Sequence, residues 1–329
     1  MSTPANKDNL SAIAAAREGV VVCDRSHWGT IAVSDADRIR FLHNQSTNDF
    51  NSLKPGQGCD TVFVTSTART IDLATAYILP DSILLIVSPN QSDSLMAWLD
   101  RYIFFADRVK LKNITQETAI LSLIGPHSNS ILSQLGAGEM IGQPEGNHQV
   151  FTIQDIEVRV AVGNGLGLPG YNLIFNSDRT AIIWETLTNL GAISLSNSGW
   201  EQLRIEQGRP TPDKELTDEH NPLEVGLWQT ISFTKGCYIG QETIARLNTY
   251  KGVRQQLWGV RLSAPAEPGT AVTVGEEKVG KLTSYIDTET GGFGLAYIRT
   301  KAGGVGLKVQ VGDSIGEVVP VPFVSHEYP

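Results

Sequence analysis

Short apolar runs separated by polar turns occupy most of the first 180 positions. GTIAVSD (29–35) predicts a strand, with Ser34 or Asp35 placed to cap a helix that carries Ile39 and Leu42. TVFVTST (61–67), TAYILPD (75–81) and ILLIVSP (83–89) read as further strands divided by turn residues. SDSLMAWLDRYIFF (92–105) sets Leu95, Leu99, Tyr102 and Ile103 on one helical face, with Ser92 or Asp93 as the cap. A second group of strands follows at AILSLIGP (119–126), QVFTI (149–153), EVRVAVG (157–163) and YNLIF (171–175). Asp178 then opens a helix whose Ile183, Leu187 and Leu190 share a face, and Gly191 ends it. Groups of strands, each with one or two helices, predict α+β lobes of antiparallel sheet and not a regular βαβ series.

The texture changes near residue 255. LWGVRL, TAVTVG, KVGKLTSY, GFGLAYI, GLKVQVG and GEVVPVPF are short strands punctuated by Gly and Asp, with little helical periodicity. That pattern predicts a small C-terminal antiparallel barrel or sandwich, and a β-barrel is the expectation. The boundary is expected between Lys251 and Leu262, giving a two-lobed region over 1–255 and a barrel domain over 256–329. The 329 residues suffice for two or three domains with a large core and no need of staples.

Composition narrows the class. Hydrophobic content is 41% and charged content 19%, which excludes a disordered chain. No apolar run is long enough to cross a bilayer, and the first residues lack a basic start followed by an apolar stretch, so neither membrane insertion nor secretion is expected. Cys23, Cys59 and Cys237 are odd in number and form no C-x-x-C pair, which points to the reducing cytoplasm. A net charge of -9 argues against nucleic acid and anionic membranes as partners. Within this acidic chain, residues 235–261 hold five basic side chains (Lys235, Arg246, Lys251, Arg254, Arg261) against one acid, Glu242. Such an island suits a small anionic ligand, or is simply a solvated face.

Two motifs are decoys. Gly165-x-Gly167-x-x-Gly170 matches a dinucleotide loop, yet YNLIF follows where a helix would have to start, so a glycine-rich hairpin is the better reading. Cys23 and His27 have the spacing of one metal-ligand pair, but no second pair completes a site, and no metal is expected.

The chemistry concentrates in TKGCYIGQETIARL (234–247). Gly236 and Gly240 flank Cys237, and a helix is expected from Gln241 with Glu242 in its first turn. A thiol on a glycine-shaped turn before a helix N-terminus, with Lys235 nearby, favours thiolate. The alternative is a small buried hydrophobe in a packing turn.

KGCYIGQE resembles the K-G-C-[FY]-x-G-Q-E signature of the YgfZ family, tetrahydrofolate-binding proteins linked to iron–sulfur cluster maintenance. LRIEQGRP (203–210) and FLHNQSTNDF (41–50) are also similar to that family, so the resemblance runs from about residue 28 to 255. The wider superfamily includes the glycine-cleavage aminomethyltransferase. This chain departs from that enzyme's pattern in carrying Cys237 and in having Leu168 and Pro169 where a glutamate is expected. The resemblance implies a cavity that receives reduced folate, with tetrahydrofolate as cofactor. Glu206 matches the glutamate that meets the pterin N–H groups, unless it serves Arg204 or Arg209 on a helix surface. Lys235, Arg246 and Lys251 are then available to the anionic glutamyl tail. Asn48 and Asp49 either line the cavity or cap a helix end. Asp72 is the nearest candidate for the enzyme's catalytic aspartate, or is an edge-strand surface residue.

The expected function is a monomeric, tetrahydrofolate-binding accessory protein for iron–sulfur cluster assembly or repair, acting on client proteins through Cys237. A folate-dependent aminomethyltransferase and a non-catalytic folate sensor are the alternatives. One cysteine cannot hold a cluster, which takes four ligands, so any cluster contact is shared or transient.

Overall fold

A computed structural model describes residues 4–328, with side chains from Leu10 onward. The chain divides into two compact units. The first comprises residues 1–61 and 74–201; the second comprises 62–73 and 202–329.

The first unit begins with helix α1 (Pro4–Glu18) and strands β1 (Val21–Asp24) and β2 (Gly29–Ser34). Helix α2 (Arg38–Gln45) precedes β3 (Gly58–Val64), β4 (Thr70–Ile78), β5 (Ser82–Val87), α3 (Ser92–Asp100) and β6 (Lys110–Asn113). One five-stranded sheet has the order β3-β4-β5-β2-β6. The chain continues through β7 (Thr118–Ile124), α4 (Ser128–Gln134), β8 (His148–Ile153), β9 (Ile156–Val162), β10 (Gly170–Asn176), α5 (Thr180–Asn189) and β11 (Ile193–Leu195). These complete a six-stranded sheet ordered β11-β1-β7-β10-β9-β8, antiparallel except for the short parallel β1–β11 pair. One face of that sheet buries Val22, Leu121, Leu123, Val158, Val160 and Leu173 against Ile183 and Leu187 of α5, the apolar face read from the sequence.

In the second unit, α6 (Asn197–Gln207) crosses from the first and is followed by α7 (Pro222–Val225) and α8 (Gln241–Thr249). The barrel comprises β12 (Gln255–Leu262), β13 (Ala271–Val274), β14 (Glu277–Thr288), β15 (Gly291–Arg299), β16 (Lys308–Val311) and β17 (Ser314–Val319). It closes in the order β12-β15-β14-β13-β16-β17, which removes the exposed sheet edges. Irregular register at Val272/Thr273 and Leu282/Ser284 supplies local bends, and Val260, Leu282, Ile298, Val309 and Val318 fill the interior. The α+β class with a C-terminal barrel is therefore what the hydrophobic pattern predicts.

Three local expectations are corrected. Helix α3 stops at Asp100, not Phe105, because Asp107 captures the next turn. Its carboxylate accepts from the Phe104 N–H (2.9 Å) and from Arg40 Nη2 (3.0 Å), leaving Phe104 and Phe105 exposed. Strand β3 ends at Val64 and β4 already starts at Thr70, with Ala68 at a left-handed φ of 61° in the turn between them. None of the three predicted caps acts as read: Asp37 and Gln91 occupy the N-cap positions of α2 and α3 without side-chain bonds, and Asp178 lies in a turn that Asn176 caps.

Burial holds His148, His220 and His326 neutral, each with its pKa pushed down to about 4. Arg159 beside His148, and Arg69 and Lys281 near His220, add to the effect. The unfolded chain therefore takes up these protons first as pH falls from about 6.5. Stability from these rings is fully present above that pH and is lost as pH drops toward 4. Calorimetry should show a Tm that declines through this window, with a shallower slope in His148→Gln. A Tm independent of pH there, or an unchanged slope in the variant, would contradict the assignment.

Candidate functional site

The site is built in the second unit around the turn between β3 and β4. Val62, Val64 and Leu73 from these strands share one apolar cluster with Ile205 of α6 and Leu257, Leu295 and Tyr297 of the barrel. Asp72 and Glu206 are sequence neighbours of Leu73 and Ile205, so two candidate carboxylates project from elements that pack on a common core. Asp72 is fully buried and its Oδ1 accepts from the Leu73 N–H (2.9 Å). That burial sets aside the reading of Asp72 as a surface aspartate. Glu206 is half-buried near the end of α6, where its Oε1 accepts from Gln202 Nε2 (3.0 Å).

The KGCYIGQE loop divides its residues between two tasks. Tyr238 is buried beside Ala68, Leu223, Trp228 and Val253, as is Ile244 in the helix that follows. Gly240 lies at φ 81°, as the N-cap of α8, with a Cβ position only 2.8 Å from the Thr65 carbonyl and 2.9 Å from Val64 Cγ2. Glycine is required there, since any side chain would collide with the β3–β4 turn. By contrast, Gly236 and Cys237 are exposed, and a Cβ at Gly236 meets nothing within 4 Å. Gly236 and Cys237 stand out between buried Lys235 and Tyr238, so Cys237 is not the buried hydrophobe of the alternative reading.

Lys235 is buried, with its ammonium 4.7 Å from the centroid of the Tyr238 ring, a cation–π contact. Arg246 is exposed in the last turn of α8, as Glu242 is in the first, both signs that suit the helix dipole. Lys251 is exposed just after α8 at φ 47°, its ammonium 5.9 Å from the Tyr328 ring. In the first unit, Asn48 follows α2 and fixes its own loop. Its amide donates to the Asp60 carbonyl (2.7 Å) and its Oδ1 accepts from the Asp49 N–H (2.8 Å). Asp49 in turn accepts from the Asn51 N–H (3.0 Å) and lies 3.1 Å from His43 Nδ1.

Several important groups gave no signal in the sequence. Arg204 and Glu215 form a fully buried ion pair (3.1 Å), and Glu215 also accepts from Ser284 (2.6 Å), Thr283 (2.7 Å) and the Thr211 N–H (3.2 Å). Arg204 Nη1 also donates to the Arg209 carbonyl (2.9 Å), and Arg209 lies over the Phe323 ring at 5.2 Å. Gly163–Pro169 leads directly into β10, which fits a hairpin and not a nucleotide loop. Cys23 is buried in β1, and burial pushes its thiol up to about 12. Among the described residues no group of three or more His, Cys, Asp or Glu is placed to hold a metal, and no helix is long and apolar enough to cross a membrane.

A two-sheet region leading into a closed barrel has clear relatives. The chain belongs to the GCVT N-terminal domain family, whose profile matches residues 5–235. It is 50% identical over 314 residues to an Arabidopsis thaliana protein named as a putative chloroplastic transferase, covering 94% of this chain and 73% of that one. It is also 26% identical over 314 residues to the aminomethyltransferase of Halothermothrix orenii, covering 92% of this chain and 87% of that one. The crystal structure of glycine cleavage system aminomethyltransferase T from Bartonella henselae superposes with a TM-score of 0.82 at 20% identity, covering 97% of this chain and 90% of that one. This last likeness is one of fold.

Proposed function

We propose that the protein binds tetrahydrofolate and assists iron–sulfur cluster assembly or repair, in the manner of the YgfZ family, with Cys237 as its working group. The observation that carries this reading is the split within KGCYIGQE: Tyr238 and Gly240 are fixed, while Cys237 is exposed. A rigid loop that holds a thiol outward is poorly explained by packing alone.

The residues present suit a reduced folate by chemistry. A half-buried carboxylate on Glu206 matches the donor edge of a pterin, Asp72 supplies a second carboxylate, and Lys235, Arg246 and Lys251 are cations for an anionic tail. Bound tetrahydrofolate would supply a carrier for one-carbon units. Cys237 offers a single thiol ligand, so a cluster or its precursor is cargo shared with a client protein. We take the working form as a monomer in a reducing compartment. The cytoplasm is the proposal from cysteine usage, although the Arabidopsis relative is named as chloroplastic.

Cys237→Ala should fold normally and keep its tetrahydrofolate affinity, yet fail to restore iron–sulfur enzyme activity in a strain lacking the protein. With an alkylating reagent, Cys237 should react in the native state, while buried Cys23 should react only on unfolding. Full complementation by the alanine variant would remove the thiol from the mechanism.

A second reading follows from the burial of Asp72, since a sequestered carboxylate is a usable acid or base. In that case the protein is an aminomethyltransferase like its named relatives. Ammonia and methylene-tetrahydrofolate should then form from an aminomethyl-lipoyl donor, and should be lost in Asp72→Asn. Absence of both products excludes this second reading.

A further inference from the structure

A cavity of about 360 Å³ opens in the second unit between the 213–220 segment and barrel residues 268–269 and 281–283. His220 lines it but is only 8% exposed, which is unusual for a side chain at the wall of a polar cleft. Three contacts fix this ring. Its face stacks on Tyr297 with centroids 3.6 Å apart and planes at 20°. Its backbone is held by the Thr70 N–H, which donates to the His220 carbonyl (2.9 Å). Its Nδ1 lies 3.1 Å from Gln255 Nε2.

The tautomer follows from the Gln255 amide, whose nitrogen faces the ring. An amide nitrogen donates and cannot accept. Nδ1 must accept, which leaves the single ring proton on Nε2. No described residue is placed to accept from that Nε2–H, and His220 is among the residues that line the cavity. Burial together with Arg69 and Lys281 keeps the ring neutral at physiological pH, so it is a fixed donor.

The remaining wall carries both signs of charge. Lys281 is exposed and makes no ion pair with any described residue, and Lys214 lies in the same wall. Asp213, Asp218 and Glu219 are exposed carboxylates of the same cavity. A plain anion would meet the three carboxylates, and a plain cation would meet the lysines and the imidazole N–H. A molecule bearing both charges satisfies both sets.

We propose that this cavity binds a small zwitterion of the α-amino-acid type, its carboxylate on His220 Nε2–H and Lys281 and its ammonium against the Asp213 and Asp218 carboxylates. The segment that forms the cavity is tied to β4 at Thr70, two residues before Asp72, so occupancy is felt at the strand that carries that carboxylate.

Ligand-observed NMR on the full-length protein tests this with glycine, alanine and serine, and with the half-molecules acetate and methylammonium. At least one of the three amino acids should bind at millimolar concentration, and each half-molecule should bind at least roughly tenfold more weakly. His220→Phe keeps a ring on Tyr297 but removes the donor, and should weaken the amino acid about tenfold or more. Lys281→Gln is a surface change that leaves folding intact; it should weaken the amino acid and acetate but not methylammonium. Asp218→Asn should weaken the amino acid and methylammonium but not acetate. If His220→Phe does not fold, the two surface variants decide. Acetate or methylammonium binding as tightly as the amino acids would overturn the proposal, as would no binding of any amino acid at roughly tens of millimolar, or unchanged affinity in both surface variants.

Discussion

Glu215→Ala is expected to destabilise the second unit by about 3–5 kcal/mol, because it strands a buried guanidinium. Arg204 is 1% exposed, and its Nη1 lies 3.1 Å from Glu215 Oε2. Without that carboxylate the guanidinium still meets the neutral Arg209 carbonyl (2.9 Å) and Ser284 Oγ (3.0 Å). Ser284 and the Thr211 N–H lose their acceptor at the same time, whereas Thr283 keeps the Leu295 carbonyl (3.0 Å). Each donor left buried without a partner adds a cost of its own, about 1–3 kcal/mol. Chemical denaturation should therefore show a large loss in Glu215→Ala and a smaller one in Glu215→Gln, which keeps an acceptor but not the charge. Arg204→Met combined with Glu215→Leu should cost much less than the sum of the single changes, since no charge then remains buried. Single-variant losses below about 1 kcal/mol would show that the pair is hydrated in solution and not sealed as described.

This ion pair also marks the limit of what the pattern of residues reveals. Glu215 lies in PDKELTDEH, an acidic stretch that reads as a solvated face. Whether one carboxylate of such a run turns inward depends on where Ser284 and Tyr297 of the barrel arrive, some 70 to 80 residues later. No local period encodes that meeting. The same holds for His220, whose ring is defined by Tyr297 and by Gln255. Elements whose apolar positions repeat, such as α5 with Ile183 and Leu187 or the alternating barrel strands, were legible because their burial is decided within the element. The end of α3 was not, since a single aspartate outside the helix, Asp107, outweighs the apolar positions Tyr102 and Ile103. In the KGCYIGQE loop, the glycines announced an unusual backbone. Which glycine served the fold and which served access required the position of the β3–β4 turn.

Those two glycines give the sharpest separation between scaffold and reach. Gly240→Ala should destabilise the protein by about 2–4 kcal/mol: roughly 1–2 from the left-handed backbone and the rest from crowding. The atoms in the way are the Thr65 carbonyl (2.8 Å), Val64 Cγ2 (2.9 Å) and Ala68 Cα (3.1 Å). Two of them are main chain, so the turn itself must shift. Gly236→Ala, with open space around its Cβ and no positive φ, should change stability by no more than about 0.5 kcal/mol. The two variants should also part in the chemistry of Cys237. Freed from its anchor, the loop in Gly240→Ala should alkylate with altered rate and lose function through disorder. In Gly236→Ala the fold is untouched, and any loss of function reports only the room needed beside the sulfur. Equal stabilities for both would mean that the loop does not rest on the β3–β4 turn, and the exposed thiol would then be a consequence of mobility instead of placement.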